Sequence, residues 1–247
     1  MSDERDLILY YLRIHFSNLH DFERIDEQQE NIDMMKRVIE LSPILSSDER
    51  NILNYTYKNA VTSRRNAISN LIQYKKEESN GARPERVAKL TQFIAQLLEE
   101  LKNICEDLVS LVDRMLLPAA NEPEQRVFYE KLKGDYYRYV CENRERSEIE
   151  PIIQQAAQCY EAGLEIARSE LQPINPTLLG LVLNYSVFLY DIMDMKNEAI
   201  ELSSKTFNDT VDLVDNMDEA TYADTALILR YLMQNHTNWK KERDQVE

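Results

Sequence analysis

The sequence predicts an all-α protein, and three observations carry that expectation. Glycine occurs only 4 times and proline 7 times in 247 residues, too few for the tight turns of a β-sandwich or an α/β sheet. Leu, Glu, Ala, Lys and Gln, all good helix formers, are abundant. Apolar residues recur at three- and four-residue spacing, most plainly in the series Val87, Leu90, Ile94, Leu97, Leu98, Leu101, Ile104 and Cys105.

The elements follow in order. Residues 4–20 and 22–41 read as two short helices with a weak junction. In "LSSDERN" (45–51), Ser46 or Ser47 can cap a third helix with Glu49 in its first turn. That helix runs to about Glu78, where "ESNGARPE" breaks it. A long fourth helix covers 85–116 and ends before "LPAANEPE". The fifth covers 123–143. The sixth begins near Ser147 and stops before "LQPINP", where proline forces extended backbone. Helices over 176–193, 196–215 and 218–239 make about nine. Antiparallel helix pairs suggest a tetratricopeptide-like array, but no repeat with that spacing and residue pattern is visible. The expectation is one helical domain over 1–239, with 1–45 as a dimerisation region, and a short polar tail over 240–247.

Charge narrows the function classes. The balance of 29 basic against 44 acidic residues, a net of −15, argues against general nucleic-acid binding, which needs a basic face. A small basic pocket would stand out electrostatically in such a chain. Cys105, Cys141 and Cys159 are odd in number and lack a CxxC, so buried reduced thiols are expected. No apolar run is long enough for a signal peptide or a membrane span, and a cytoplasmic location is expected. His15, His20 and His236 are scattered, and no glycine-rich phosphate loop, GxSxG or HExxH occurs. The reading is of a protein that is not an enzyme and carries no cofactor or metal.

What remains is a set of polar residues placed by helical spacing. Lys58 and Arg65 are two turns apart and share a face of the third helix. In the fifth, "KGDYYRY" (133–139) sets Arg138 among three tyrosines. Lys131, Asp135, Arg138 and Glu142 fall at three- and four-residue steps, so both carboxylates can brace the guanidinium. Tyr139, about 100° round the helix, can add a hydroxyl donor. The plain alternative is tyrosines in a core beside a solvated arginine. Gly180, Asn184, Val187 and Asp191 form a stripe in the seventh helix. Asp224, Leu227, Ile228, Tyr231 and Asn235 form another in the last. An asparagine within an apolar stripe needs partners, either internal ones or the backbone of an extended peptide.

Five stretches together carry a resemblance: "SSDERNILNYTYKNAVTSRRNAI" (46–68), "NICEDLVSLVDRMLLP" (103–118), "VFYEKLKGDYYRYVCE" (127–142), "LQPINPTLLGLVLNYSVFLYDIM" (171–193) and "YADTALILRYLMQNHTNW" (222–239). In order and spacing they resemble 14-3-3 proteins from about residue 45 to 239. The resemblance implies nine antiparallel helices in a cup-shaped array with an amphipathic groove. It implies an adaptor that binds phosphoserine and phosphothreonine segments of client proteins in signalling. It also implies phosphate contacts from Lys58, Arg65, Arg138 and Tyr139, peptide-backbone contacts from Asn184 and Asn235, and an apolar wall of Leu183, Val187, Ile228 and Tyr231. Lys131, Asp135 and Glu142 would support the pocket.

The chain departs from the family pattern at several points. Ile68 and Ser69 stand where Trp-Arg is usual, which removes a third arginine. Arg230 and Tyr231 are more charged or bulkier than the usual residues, and Leu178 replaces an arginine. These changes imply a narrower groove with altered selectivity. The family dimerises, and a homodimer, or a heterodimer with a relative, is expected here. Leu7, Leu12, Ile14, Phe16, Leu19, Phe22 and Ile25 are the apolar residues available for it. The competing reading is a helical scaffold that binds unphosphorylated peptides or helices.

Overall fold

A computed structural model describes residues 2–18, 25–81, 83–216 and 219–246. Among these residues there are nine helices and no strand. They are α1 (Ser2–Asn18), α2 (Ile25–Leu41), α3 (Ser47–Asn80), α4 (Pro84–Leu111), α5 (Pro123–Cys141), α6 (Arg146–Glu170), α7 (Pro176–Asp191), α8 (Lys196–Thr210) and α9 (Glu219–Val246). A π-turn (Val112–Leu116) carries α4 on to Ala119, and a 3-10 turn (Val211–Asn216) extends α8. The chain forms two compact units, Met1–Ala119 and Ala120–Glu247.

In the first unit, Ser46 is the residue that caps α3. Its hydroxyl accepts from the Glu49 N–H at 3.3 Å, and the Glu49 carboxylate accepts from the Ser46 N–H at 2.8 Å. Such reciprocal bonds satisfy helix-terminal donors that would otherwise be orphaned. Glu49 also receives both terminal nitrogens of Arg5, at 2.8 and 3.1 Å, which ties α1 to the start of α3. Asp107 on α4 takes Lys36 from α2 at 2.6 Å and the Tyr57 hydroxyl from α3 at 2.8 Å. Around these ties, Leu9, Leu12, Met35, Ile39, Leu53, Val61, Ile68, Leu108 and Val112 are buried. Leu12 therefore belongs to the core rather than to a free apolar face. Leu7 and Ile14 are exposed, together with Tyr10 and Tyr11, while Phe16 packs on the Tyr55 ring at 4.6 Å. Leu19 and Phe22 lie outside the described residues, as does the side chain of Ile25.

The second unit rests on close packing of α5, α6 and α7. A Cβ on Gly163 would stand 2.6 Å from a Leu181 methyl, so any larger residue would have to displace that side chain where α6 approaches α7. Asn175 caps α7, accepting from the N–H groups of Thr177 at 2.8 Å and Leu178 at 3.3 Å, with Pro176 opening the helix. Tyr160, Val182, Phe188, Ala199 and Leu232 fill the core between α6, α7, α8 and α9. Trp239 stacks on Tyr190 at 4.5 Å, and the Tyr190 hydroxyl donates to Glu242 at 2.8 Å. Helix α9 thus continues to Val246, past residue 239 where the sequence reading ends it.

Candidate functional site

The site in the second unit starts from Gly134. A Cβ there would stand 2.9 Å from three ring carbons of Tyr160. Its absence lets that ring lie against α5, so the Tyr160 hydroxyl reaches the next residue, donating to Asp135 at 2.7 Å. Asp135 is only 4% exposed. It accepts further bonds from Lys131 at 2.6 Å and from the Asn184 amide at 2.8 and 2.9 Å. Burial alone would push its carboxyl up. The cations of Lys131 and Arg138 and the hydrogen bonds outweigh that and hold it below the usual carboxylate range. Burial and the Asp135 charge push the Tyr160 phenol well up, so it remains a donor.

Arg138 stands one turn further along α5. Its side chain is 13% exposed, and it pairs with Glu142 at 3.3 Å. The guanidinium lies over the Tyr139 ring, 4.7 Å from its centroid. Its Nε is buried and makes no hydrogen bond among the described residues. Burial opposes the cation, but the oxygens of Tyr160 and Asp135 more than offset it, so Arg138 is raised above the ordinary arginine value. The expectation that both Asp135 and Glu142 grip Arg138 directly is therefore met only by Glu142. Asp135 acts through its charge, because three donors from α5, α6 and α7 occupy its oxygens. Arg138, Glu142, Arg144, Arg146 and Asp191 line a cleft of about 500 Å³ with the buried thiol of Cys141.

Asn184 is engaged inside the second unit. Its amide nitrogen is committed to Asp135, and Oδ1 has no hydrogen bond among the described residues. Asn235 is half-buried on α9. Leu183, Val187 and Ile228 are half-buried against the second unit's core, and Tyr231 is exposed beside them on α9. In the first unit, Lys58 is exposed on α3 and Arg65 is half-buried two turns on. Their neighbour Arg64 is buried instead, donating to Gln28 and to the Ala60 carbonyl, with Nε 3.5 Å from Glu100.

Sequence reasoning missed Tyr160 and the structural role of Arg64. The only signal for Tyr160 was Gly134, a helix-interior glycine in a chain that has few. Of the three tyrosines around Arg138, Tyr136 and Tyr139 are buried and packed edge to face at 5.4 Å.

An all-helical protein with a braced, nearly buried arginine defines the class, and among the described residues no cluster could hold a metal ion. A model of the 14-3-3 protein family matches residues 19–240. The chain is 38% identical over 231 residues to 14-3-3 protein beta/alpha-A of Xenopus laevis, covering 91% of this chain and 93% of that protein. It is 34% identical over 223 residues to 14-3-3-like protein 2 of Caenorhabditis elegans, with 89% of each covered. It is 32% identical over 242 residues to 14-3-3-like protein GF14 epsilon of Arabidopsis thaliana, with 98% and 92% covered. The chain belongs to the 14-3-3 family, whose members are adaptors rather than enzymes. No described helix is long and apolar enough to cross a membrane.

Proposed function

We propose that this protein is a cytoplasmic adaptor that captures phosphoserine- and phosphothreonine-containing segments of client proteins in signalling. The observation that supports this best is the state of Arg138. A cation held nearly out of water, with its direction fixed by Glu142 and Tyr139, borders a cleft that Arg144 and Arg146 also line. A phosphate suits such a cation, because guanidinium–phosphate bonds are both strong and directional. In this reading Lys58, Arg65 and the Tyr139 hydroxyl hold the same phosphate. Asn184, its nitrogen spent on Asp135, offers Oδ1 to a peptide N–H, and Asn235 brackets the backbone further along. Leu183, Val187, Ile228 and Tyr231 receive apolar client side chains. The function is binding, with no chemical step and no cofactor.

Calorimetric titration of one client-like peptide in phosphorylated and plain form tests this. The phosphorylated form binds and the plain form binds at least about tenfold more weakly, since charge-assisted hydrogen bonds contribute roughly 1.5–3 kcal/mol each. Equal affinities would instead establish the scaffold for unphosphorylated peptides.

The exposed Leu7, Tyr10, Tyr11 and Ile14 of α1 support a homodimer, and the same face suits a heterodimer with a relative. Sedimentation at micromolar concentration distinguishes a dimer from the 29.1 kDa monomer. Two grooves in one particle would raise the avidity for doubly phosphorylated clients.

A further inference from the structure

We propose that Arg144 is a further phosphate-binding residue, whose guanidinium joins that of Arg138 on the phosphate of the client segment. This rests on the phosphopeptide reading above and names the cation that leaves its cleft with a positive surplus.

The connection between α5 and α6 brings the two arginines together. Helix α5 ends at Cys141, and Asn143 then takes a left-handed backbone, φ 58°, which asparagine tolerates better than most residues. Arg144 follows, and α6 starts at Arg146. Arg138, Arg144 and Arg146 all line the one cleft of about 500 Å³. Arg144 is half-buried, with its Nε shielded from water, so it is not a loose surface side chain. The thiol of Cys141, which also lines the cleft, feels all three cations. Burial pushes it up to about 12 and Glu142 adds to that, while Arg146, Arg144 and Arg138 pull it down. The cleft is many times a water's share of roughly 30 Å³, so a phosphate has room beside both guanidinium groups.

Charge balance singles out Arg144. The cleft is lined by three cations, Arg138, Arg144 and Arg146, and by two carboxylates, Glu142 and Asp191. Arg138 pairs with Glu142 at 3.3 Å, and Arg146 pairs with Glu150 at 3.0 Å and donates to the Ile192 carbonyl. Three against two leaves one surplus cation, and removing Arg144 leaves none. In a chain of net charge −15, a cleft without that surplus would not attract a phosphate dianion. Asp191 works against the phosphate. Burial pushes its carboxyl up and Arg138 draws it back down, so the two anions compete for one cation. A second guanidinium meets that competition, because it engages phosphate oxygens that a single fork leaves free.

The test titrates one peptide, phosphorylated and plain, against the full chain and three variants. Arg144→Gln weakens the phosphorylated peptide about three- to tenfold and leaves the plain one unchanged. Arg144→Lys, which keeps the charge, recovers most of that loss. Asp191→Asn, at an exposed position, tightens the phosphorylated peptide about two- to fivefold, because the surplus rises from one cation to two. Melting curves check that each variant folds, and if Arg144→Gln does not, the sign of the Asp191→Asn effect decides. Wild-type affinity for the phosphorylated peptide in Arg144→Gln, an equal loss for both peptides, or no gain in Asp191→Asn each overturns the proposal while phosphate-dependent binding stands. If the wild type does not prefer the phosphorylated peptide, the underlying reading fails and the proposal with it.

Discussion

Arg64 and Arg138 are both arginines whose side chains are largely withdrawn from water, at 8% and 13% exposure, one in each compact unit. They differ in how their donors are used. Arg64 spends itself inside the protein, on Gln28, on its own helix and on Glu100. Arg138 pairs with Glu142, lies over the Tyr139 ring and is held by the Tyr160 oxygen, and it lines a cleft; its Nε, like that of Arg64, makes no hydrogen bond among the described residues. Arg64 is tied to groups of α2, α3 and α4, whereas Arg138 borders a cleft with Glu142, Arg144, Arg146 and Asp191, and a charge that borders a cleft can meet a ligand. The adjacent residues Arg64 and Arg65 differ in burial, which residue type alone does not reveal.

The sharpest way to break the comparison is to delete each arginine. Arg138→Ala should weaken phosphopeptide binding about ten- to a hundredfold, with circular dichroism and melting little changed. Binding that keeps its original preference for the phosphorylated peptide would make Arg138 a structural residue like Arg64. Arg64→Ala should do the converse. It removes the hydrogen bond to the buried Gln28, costs about 1–3 kcal/mol, and lowers the melting temperature by several degrees. A melt that matches the wild type would show that Arg64 carries no fold energy.

Much of this was legible in the sequence. The helix count, the breaks at "ESNGARPE" and "LQPINP", the cap at Ser46 and the shared face of Lys58 and Arg65 all follow from local rules. Spacing also found the Arg138–Glu142 pair, because four residues along a helix is a local distance. It failed at Asp135, whose partners Tyr160 and Asn184 come from helices 25 and 49 residues away. Periodicity says which residues share a face but not what packs on that face. For the same reason Leu12 looked available to a dimer interface when its partners were already in the core.

Asp135→Asn sharpens the comparison at a smaller scale. It removes the countercharge shared by Lys131 and Arg138 while leaving the shape, so phosphopeptide affinity should fall about three- to tenfold in a titration. Affinity equal to wild type would confine Asp135 to packing. Because the Asp135 carboxyl is held below its usual range, its contribution to stability is present above about pH 3.9 and is lost only as pH falls through its lower folded value. A loss of affinity between pH 7 and 5 is therefore no effect of Asp135, and the phosphate, whose second ionisation lies near 6, contributes to it.

The smallest effect is alkaline. Burial pushes the Cys141 thiol up to about 12, and burial followed by Glu161 pushes the Tyr185 phenol up to about 12. Both groups ionise earlier in the unfolded chain, near 8.5 and 10. The stability they provide is complete below about pH 8.5 and declines as pH rises toward 12. Urea midpoints at pH 8 and pH 10.5 should show a lower value at the higher pH. An unchanged midpoint would mean that these two groups titrate alike in both states.

The most direct measurement remains a pair of titrations on the unmodified protein, with one peptide bearing phosphoserine and the same peptide without it. A braced arginine bordering a cleft predicts that the phosphorylated peptide binds at least about tenfold tighter. Equal affinity for the two peptides would contradict it and leave Arg138 as a buried arginine among core tyrosines.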